Sequence, residues 1–506
     1  MNSYLQFVRG ALDILLERQS ARLGGQPDGA ICLTGSDLIH KSYLARGRKE
    51  DGKYRTYWFP EKPMEIQPTR LDMDLWSILD SLSDLTGERR YREMVTAMSE
   101  MFGRHGFDAR SGLGYLGEMC DFDVVGLAPL PRGPFTEPWF KPRNSGDCPT
   151  LPLDRLWTHA AQPMARMCRA MFYGLVTDPA TMDFNRYCPY QFDDSDRKPA
   201  QPQNSKHVAF ESVGARMIHW WASCWAHAGD GECLDWAQRM ADKWRAVQHP
   251  DSGLVPNHFG GIASNPGGPM PPGEWCEPRN AVLAAVAWLE AAEECKKRSG
   301  GEALGAQLTA MAAKLADGLA RFSYAPAQSI FLEHLHLDGQ PYRGMSGTTF
   351  RTQADKDAAV RLQPDLEGVA VFAGAGFYRP PPFWSHCAGT DIPFHLAQVA
   401  ARTKQADLLR RLCAMASDIR DEAGKLQGEF TEDNCWTFRA NAQYIKMFLL
   451  LAQPTRERAY LDHARALADS TLRFLAEVSG REWWRMLERN SLLNALLLLH
   501  KESSRE

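Results

Sequence analysis

Residues 212–248 read SVGARMIHWWASCWAHAGDGECLDWAQRMADKWRAVQ, and this stretch decides the fold class. Apolar residues recur every three or four positions along Phe210–His227 and again along Cys233–Val247, which predicts two amphipathic helices. The small and polar residues between them predict a tight turn. Because a short connection forces consecutive helices to lie side by side, the stretch predicts an antiparallel helical hairpin.

The same pattern recurs in DLTGERRYREMV (residues 84–95), ARTKQADLLRRLC (residues 401–413) and LAQPTRERAYLDHA (residues 451–464). The irregular spacing of these turns argues against a short-period solenoid. Alternating strand patterns are confined to short pieces such as SIFLEHLHL (residues 329–337). The sequence therefore predicts an all-α fold, an (α/α) toroid of helical hairpins with long functional loops and minor β structure. We expect residues 1–506 to form a single catalytic domain.

Long stretches rich in glycine and proline interrupt the helical pattern. Loops of this length inside a compact domain are uncommon unless they have a function. We therefore expect the functional site among them, at one end of the toroid. The stretches are Gly103–Pro152, Arg186–Ser205, Asp251–Pro278, His334–Phe383 and Gly424–Trp436.

Charge and cysteine usage exclude several classes of protein. With 58 basic and 62 acidic residues the net charge is −4, which gives no electrostatic basis for binding nucleic acid or an anionic membrane. No stretch approaches the ~20 apolar residues of a membrane span. The twelve cysteines contain no C-x-x-C pair and the first residues lack a signal-peptide pattern, so we expect free thiols in a cytoplasmic protein. The sequence does not predict an oligomeric state.

Aromatic residues point to carbohydrate. The chain has 15 tryptophans and 14 tyrosines, and their flat rings suit the apolar faces of sugars. No P-loop, GxGxxG, HExxH or GxSxG motif supports a nucleotide-binding, zinc-protease or serine-hydrolase function. The tryptophans in predicted loops, which are the candidate sugar contacts, are Trp58, Trp139, Trp275 and Trp384.

Polar residues in the first half of the chain are candidates for catalysis. His159 lies early on a predicted helix. His207 and Glu211 are four residues apart, so on a helix they would share a face and could couple as base and orienting group or ligate a metal. Glu118 follows a glycine-rich turn in YLGEMCDFD, where an acid could bind a metal or act as a general acid. A plain polar contact or a solvated loop acid is the alternative for each.

Further candidates lie in the second half. GEWCEPRN (residues 273–280) carries Glu277 and Arg279, and FTEDNCWTFR (residues 430–439) carries further acids. In GFYRPPPFWSHCAGTDIP (residues 376–393), Thr390 and Asp391 are either site residues or a helix cap. The proline-rich start of this stretch is predicted to be a ligand-lining loop, and its candidate substrate-binding residues are Tyr378, Arg379, Trp384 and His386.

Residues 115–260 resemble the (α/α)-toroid pectate lyases of polysaccharide lyase family two and their uncharacterised relatives. The resemblance is carried by FYGLVTDPATMDFNRYC (residues 172–188), by the helix pair of residues 212–248, and by HPDSGLVPNHFGG (residues 249–261). The last of these is similar to a family turn that reads H-P-x-T-G-L, and within it His249 and His258 are candidate substrate contacts.

The resemblance implies a proposed catalytic arginine, which falls at Arg186, and a divalent metal, manganese or calcium, held by two histidines and a glutamate. The two family histidines fall at Met119 and Tyr187, and the glutamate falls near Asp154 or Arg155. Because two of three ligands differ, we expect no tightly held ion and no certain cofactor.

The function that follows is cleavage of uronic-acid-containing glycans by β-elimination, with an acidic oligosaccharide as the partner. Elimination requires a group that neutralises the uronate carboxylate and a base that removes the adjacent proton. We expect Arg186 to bind the carboxylate, and Tyr187 or a histidine to act as base. One alternative is a glycoside hydrolase with paired carboxylates, drawn from Glu118, Glu211, Glu277 and Asp391. A second is a non-catalytic oligosaccharide-binding protein.

Overall fold

A computed structural model of the chain describes residues 2–19, 21–22, 31–32, 66–68, 73–105, 107, 112, 120–123, 128–131, 153–184, 209–259, 275–326, 330–332, 335–340, 383–426, 435–477 and 491–505. The helices in these ranges are α1 Asn2–Gln19, α2 Met73–Thr86, α3 Arg89–His105, α4 Leu153–Leu175, α5 Glu211–Ala228, α6 Gly231–Val247, α7 Pro278–Cys295, α8 Glu302–Phe322, α9 Phe383–Thr403, α10 Ala406–Leu426, α11 Cys435–Thr455, α12 Arg458–Glu477 and α13 Ser491–Ser503.

The described strands are short, and all their pairings are antiparallel. They form the sheets β1–β2, β3–β4–β5, β6–β7, β8–β9, β10–β13 and β11–β12. Their bounds are β1 Ala21–Arg22, β2 Ile31–Cys32, β3 Ile66–Pro68, β4 Cys120–Asp123, β5 Ala128–Pro131, β6 Val176–Asp178, β7 Asp183–Phe184, β8 Ala209–Phe210, β9 His258–Phe259, β10 Trp275–Cys276, β11 Tyr324–Ala325, β12 Ile330–Phe331 and β13 Leu335–His336.

All four hairpins predicted from the sequence are present, as α2–α3, α5–α6, α9–α10 and α11–α12. In each, the first helix is followed at once by a residue with positive φ, whose N–H donates to the carbonyl four residues earlier at 2.9 Å. This left-handed cap satisfies a carbonyl that the helix end would otherwise leave unpaired. The capping residues are Gly87, Gly229, Lys404 and Arg456.

The helices pack in a closed circuit of two layers. In the inner layer α5 contacts α7, α7 contacts α9, α9 contacts α11, α11 contacts α13, and α13 contacts α2. The circuit returns to α5 through α3 and α4, and Arg155 of α4 donates to Asp80 of α2 at 2.7 Å across this junction. The outer helices α6, α8, α10 and α12 also contact one another in that order. This arrangement confirms the predicted all-α toroid.

Contacts between helix ends show that the inner helices α2, α5, α7, α9, α11 and α13 run in the same direction. The residues near their carboxyl ends touch in pairs from one helix to the next. These pairs are Arg298–Ala226 at 3.3 Å, Arg402–Glu293 at 3.6 Å, Gln453–Glu502 at 3.0 Å and Lys501–Ser81 at 3.2 Å. We call the end of the ring at which these helices begin the amino end, and the opposite end the carboxyl end.

The core follows the inner layer. Helix α7 contacts α5, α8 and α9, and its residues 281–292 are buried except Leu283, which is half-buried. Many of them are alanines, whose small side chains allow close approach of the surrounding helices. Between α4, α5 and α6, the rings of Phe172 and Trp236 stack at 4.1 Å, and Trp221 meets Trp236 edge-on. Buried aromatic pairs of this kind add about 0.5–1.5 kcal/mol beyond their burial.

Several local predictions were wrong. Ala209 and Phe210 form strand β8, so no continuous helical turn joins His207 to Glu211, which is instead the first residue of α5. Helix α9 begins at Phe383, which places the backbones of Trp384 and His386 on a helix and Asp391 well inside it, not at its cap. Trp275 is buried in β10.

Arg186 was predicted to follow directly after the end of a helix. Helix α4 instead ends at Leu175 and the hairpin β6–β7 follows it, so the last described element before Arg186 is strand β7. None of the described helices is long and apolar enough to cross a membrane.

Candidate functional site

The two ends of the ring differ in the length of the connections between helices. The carboxyl ends of α5, α7, α9 and α11 lead into the short turns 229–230, 296–301, 404–405 and 456–457. The amino ends of α5, α7, α9, α11 and α13 instead follow the longer connections between consecutive outer and inner helices. Binding and catalytic residues concentrate where longer loops meet a rigid scaffold, so the amino end is the candidate location of the functional site.

A buried polar cluster links three inner helices at this end. Nε of Arg279, on α7, donates to Oδ2 of Asp391, on α9, at 2.6 Å. Nε2 of Gln443, on α11, donates to the other carboxylate oxygen of Asp391. Asp391 is 0% exposed, whereas the Arg279 side chain is 23% exposed. A buried carboxylate therefore holds an arginine that solvent, and a ligand, can reach.

A second group of residues is connected to the first group through backbone hydrogen bonds to strand β10. The Glu211 N–H donates to the Asn257 carbonyl at 3.1 Å, and the Asn257 N–H donates to the Trp275 carbonyl at 2.9 Å. Burial raises the pKa of Cys276, and the negative charge of Glu211 raises it further, so Cys276 stays a neutral thiol. Glu211 is itself fully buried. Its carboxylate therefore lies close to β10, which ends three residues before Arg279.

Two buried amide groups at this end have acceptor capacity to spare. Oδ1 of Asn257 and Oε1 of Gln443 have no hydrogen-bond partner among the described residues. Leaving a buried acceptor unsatisfied costs about 1–3 kcal/mol. Each oxygen therefore lacks, among the described residues, the donor that a buried acceptor normally has.

Deeper in the wall, between α5 and α7, lies a buried triad of Arg216, His219 and Glu290. Nη1 of Arg216 donates to Oε2 of Glu290 and lies 3.4 Å from Nδ1 of His219. Burial lowers the pKa of His219 well below 6.5, and the positive charge of Arg216 lowers it further, so the imidazole is neutral. Burial also raises the pKa of Glu290, which the adjacent Arg216 opposes.

Besides Glu277, Arg279 and Asp391, the predicted site residues that are fully described are His159, Glu211 and His249. Nδ1 of His159 lies 3.8 Å from Oε1 of Glu100, where α4 passes α3. Nδ1 of His249 accepts the Ser252 N–H at 3.2 Å in the turn after α6. Glu211 is therefore the only one of these three that lies beside the cluster at the amino end.

The other predicted residues divide by how much of them is described. The backbone of His258 pairs with Phe210 in β9, and those of Trp384 and His386 lie in α9. The remaining six, with the loop tryptophans Trp58 and Trp139, lie outside the described residues. These six are Glu118, Arg186, Tyr187, His207, Tyr378 and Arg379.

The positions that match the family's glutamate ligand have other partners. Asp154 accepts from Nζ of Lys297 at 2.7 Å, and Lys297 also donates to Glu294 at 2.9 Å. His227 lies 3.3 Å from both of these carboxylates, so the group has metal-ligand geometry. The lysine ammonium already supplies positive charge there, at the carboxyl end of the ring.

Sequence analysis singled out Arg279 and Asp391 but missed Asn257, Gln443 and the buried triad. A usable signal exists for the triad, because Arg216, His219 and Glu290 interrupt otherwise apolar helical stripes. Charged residues at core positions are rare unless they are paired.

Comparisons with known proteins give no family assignment. No protein-family model matches the chain, and no curated protein matches it. Among solved structures, the chain is similar to a cellobiose 2-epimerase from Bacillus thermoamylovorans, with 8% identity, a TM-score of 0.44, and coverage of 99% of this chain and 100% of that one.

Two further solved structures are similar at the same level. A sugar epimerase from a ruminal bacterium has 9% identity and a TM-score of 0.42, covering 76% of this chain and 85% of that one. An unsaturated glucuronyl hydrolase specific for heparin has 9% identity and a TM-score of 0.37, covering 83% and 84%. None of the three is a pectate lyase. With TM-scores this low, the assignment of a toroid fold rests on the contacts between the helices.

Proposed function

We propose that this chain is a carbohydrate-active enzyme that acts on uronic-acid-containing oligosaccharides at the amino end of the ring, with β-elimination as the leading reaction. The observation that carries the proposal is the anchoring of Arg279. Asp391 and Gln443, from two other inner helices, position the arginine, and it remains partly exposed. A pre-positioned guanidinium is the group best suited to recognise a carboxylate.

Elimination places a specific demand on such a residue. The proton at C5 of a uronate becomes acidic only when the neighbouring carboxylate is neutralised, and Arg279 supplies the positive charge for this step. A base must then remove the proton, and the bond to the O4 leaving group breaks as the double bond forms. Among the residues described at the amino end, Glu211 is the base candidate. His207, Tyr187 and His159 stay base candidates predicted from the sequence. Arg186 stays a second candidate for the carboxylate clamp.

Hydrolysis is the second candidate reaction. It is favoured by two carboxyl groups at the same end of the ring, those of Glu211 at the start of α5 and of Glu277 just before α7. Glycosidases need two carboxyl groups roughly 5–10 Å apart, one of them as acid. Because Asp391 is bound by Arg279, the second carboxyl group in this case would be Glu277, at the start of α7.

One experiment separates the two reactions. The full chain is incubated with a panel of uronic-acid oligosaccharides, matched neutral oligosaccharides serve as controls, and products are followed by ultraviolet absorbance and by mass. Elimination creates an unsaturated, ultraviolet-absorbing product and leaves the total mass unchanged, whereas hydrolysis adds one water for each bond cleaved. Turnover of neutral substrates at the same rate as acidic ones would contradict the proposed role of a carboxylate-binding arginine.

Arg279→Lys tests the site itself. The substitution keeps the charge but removes the planar fork and the Nε donor that Asp391 holds, so we expect kcat/KM on the acidic substrate to fall by roughly 30- to 1000-fold, equivalent to about 2–4 kcal/mol. Asp391→Asn should lower it in the same direction, because the arginine loses its charged anchor. Kinetics are read together with the melting temperature, so that loss of folding is not mistaken for loss of binding.

Arg298→Lys is the matched control. Arg298 lies at the carboxyl end of the ring, where its Nε donates to the Ala226 carbonyl at 3.3 Å, so its replacement should leave turnover unchanged. Near-normal turnover by Arg279→Lys would remove Arg279 from the site. If Glu211→Gln alone abolished activity and the products carried added water, the hydrolase candidate would replace the lyase.

A further inference from the structure

Three buried cysteines meet where α4, α5 and α6 come together, at the carboxyl end of the ring. Cys224 lies near the end of α5, Cys233 is the third residue of α6, and Cys168 projects from α4. All three are 0% exposed. The short turn between α5 and α6, capped by Gly229 with φ of 72°, brings Cys224 and Cys233 together although they are nine positions apart.

Cys168 lies next to the last turns of α5. Its thiol donates to the Trp220 carbonyl oxygen at 3.4 Å, one helical turn before Cys224. Sγ of Cys224, Sγ of Cys233 and a carboxylate oxygen of Asp230 all lie within 4.8 Å of one another. A tetrahedral zinc site with bonds of about 2.3 Å to sulfur needs its donors slightly closer than this.

The carboxylate in this group is held in place by its neighbours. Oδ1 of Asp230 accepts the N–H of Glu232 at 3.1 Å and of Cys233 at 3.5 Å, which caps α6. Oδ2 accepts from Nε of Arg169 at 2.6 Å. Partners that orient a ligand in this way are typical of the surroundings of metal sites. Each oxygen of an ionised carboxylate has two lone pairs, so Oδ2, which accepts a single hydrogen bond, keeps acceptor capacity.

From this geometry we infer a closed structural site for one thiophilic divalent cation, such as Zn²⁺, bound by Cys168, Cys224, Cys233 and Asp230. Binding forms three metal–sulfur bonds and one metal–oxygen bond, and the protons of the three thiols leave to solvent. Arg169 offsets part of the remaining negative charge. Three thiolates with one further ligand match the donor set that structural zinc prefers, and full burial leaves no open position for a substrate.

The test uses the metal alone and reduced, metal-free full-length protein. Co²⁺ replaces Zn²⁺ as a spectroscopic probe, because cobalt bound by thiolates has strong charge-transfer and d–d bands. We expect one equivalent of Co²⁺ to give these bands, Zn²⁺ to displace it, and the melting temperature to rise on binding. Cys224→Ser and Cys233→Ser should each abolish the bands. Cys295→Ser, which replaces a buried cysteine of α7 outside the cluster, should keep them.

A second measurement, on the wild-type protein, tests the site even if the cysteine variants fail to fold. In the wild-type protein under mild denaturant, Zn²⁺ should slow alkylation of Cys168, Cys224 and Cys233 while Cys295 reacts at an unchanged rate, as read by peptide mass. If the wild type gave no thiolate–cobalt bands, or if Zn²⁺ protected all four cysteines equally, the inference would be overturned.

Discussion

His219 illustrates how a single residue couples this fold to pH. It is buried between α5 and α7, and Nη1 of Arg216 lies 3.4 Å from Nδ1 of the ring, which fits a neutral imidazole that accepts at Nδ1. Burial and the charges of Arg216 and Arg402 lower its pKa well below 6.5. The folded protein therefore resists taking up a proton that the unfolded chain accepts readily.

The sign of the pH dependence follows. Below pH of about 6.5 the unfolded chain binds one more proton at this position than the folded chain, so the free energy of unfolding decreases as pH falls, by up to about 1.4 kcal/mol per pH unit. His219→Gln should flatten the stability profile between pH 7 and pH 5 in urea titrations. An equal slope in wild type and His219→Gln would assign the acid sensitivity to other groups.

Among single residues, some members of the candidate site could be predicted from the sequence, but the contacts between them could not. Arg279 and Asp391 stand out because charged residues occur in loop-like, proline-rich surroundings. Their contact joins positions 112 apart, and no local pattern encodes a contact of that range. Gln443 is harder still, because a glutamine inside a helical stripe looks the same whether it faces solvent or anchors a carboxylate.

At the scale of the helix and turn, prediction succeeded where the cause is local. The hairpins are specified by apolar periodicity and by turns of two residues, so all four were predicted correctly. Prediction failed where contact with another element determines the local structure, as at Phe210, which pairs with His258 across β8 and β9. Helix α4 shows a further limit, because Ala160 has non-helical angles (φ −141°, ψ 35°) just before Pro163, whose ring displaces the preceding turn.

Glycines inside helices give a prediction at this scale. Gly318, in the middle of α8, faces the turn after α6, and a Cβ there would overlap the Ser252 carbonyl oxygen. Since backbone cannot move aside easily, Gly318→Ala should destabilise the protein by about 1–3 kcal/mol. Gly10→Ala is the matched control, because nothing lies within 4 Å of a Cβ at that position of α1.

The control should have the opposite sign. Alanine in a helix interior restricts the unfolded chain, so Gly10→Ala should stabilise by about 0.5–1 kcal/mol. Both changes are read from urea denaturation followed by circular dichroism. A Gly318→Ala variant as stable as Gly10→Ala would mean that α8 does not approach the turn so closely.

For the whole molecule, ring closure depends on the last helix. Helix α13 contacts α11 on one side and α1 and α2 on the other, so it joins the two ends of the chain. Leu496 is 0% exposed on this helix, whereas Leu498 is 39% exposed. Leu496→Ala should therefore lower the free energy of unfolding by about 2–5 kcal/mol, and Leu498→Ala by less than about 0.5 kcal/mol. If the two variants lost similar free energies of unfolding in equilibrium denaturation, the face of α13 that carries Leu496 would not be a packed contact.

The shared direction of the inner helices has an electrical consequence. Each helix carries a partial positive charge of about half a unit at its amino terminus. Helices α9, α11 and α13 have no acidic residue in their first turns, so no side chain there offsets these charges. The outer helices α6, α8 and α10, which begin at the opposite end, carry Glu232, Glu302 and Asp407 there. The ring is thus polarised along its axis in a chain of net charge −4, and its positive pole attracts anions with a strength that added salt weakens.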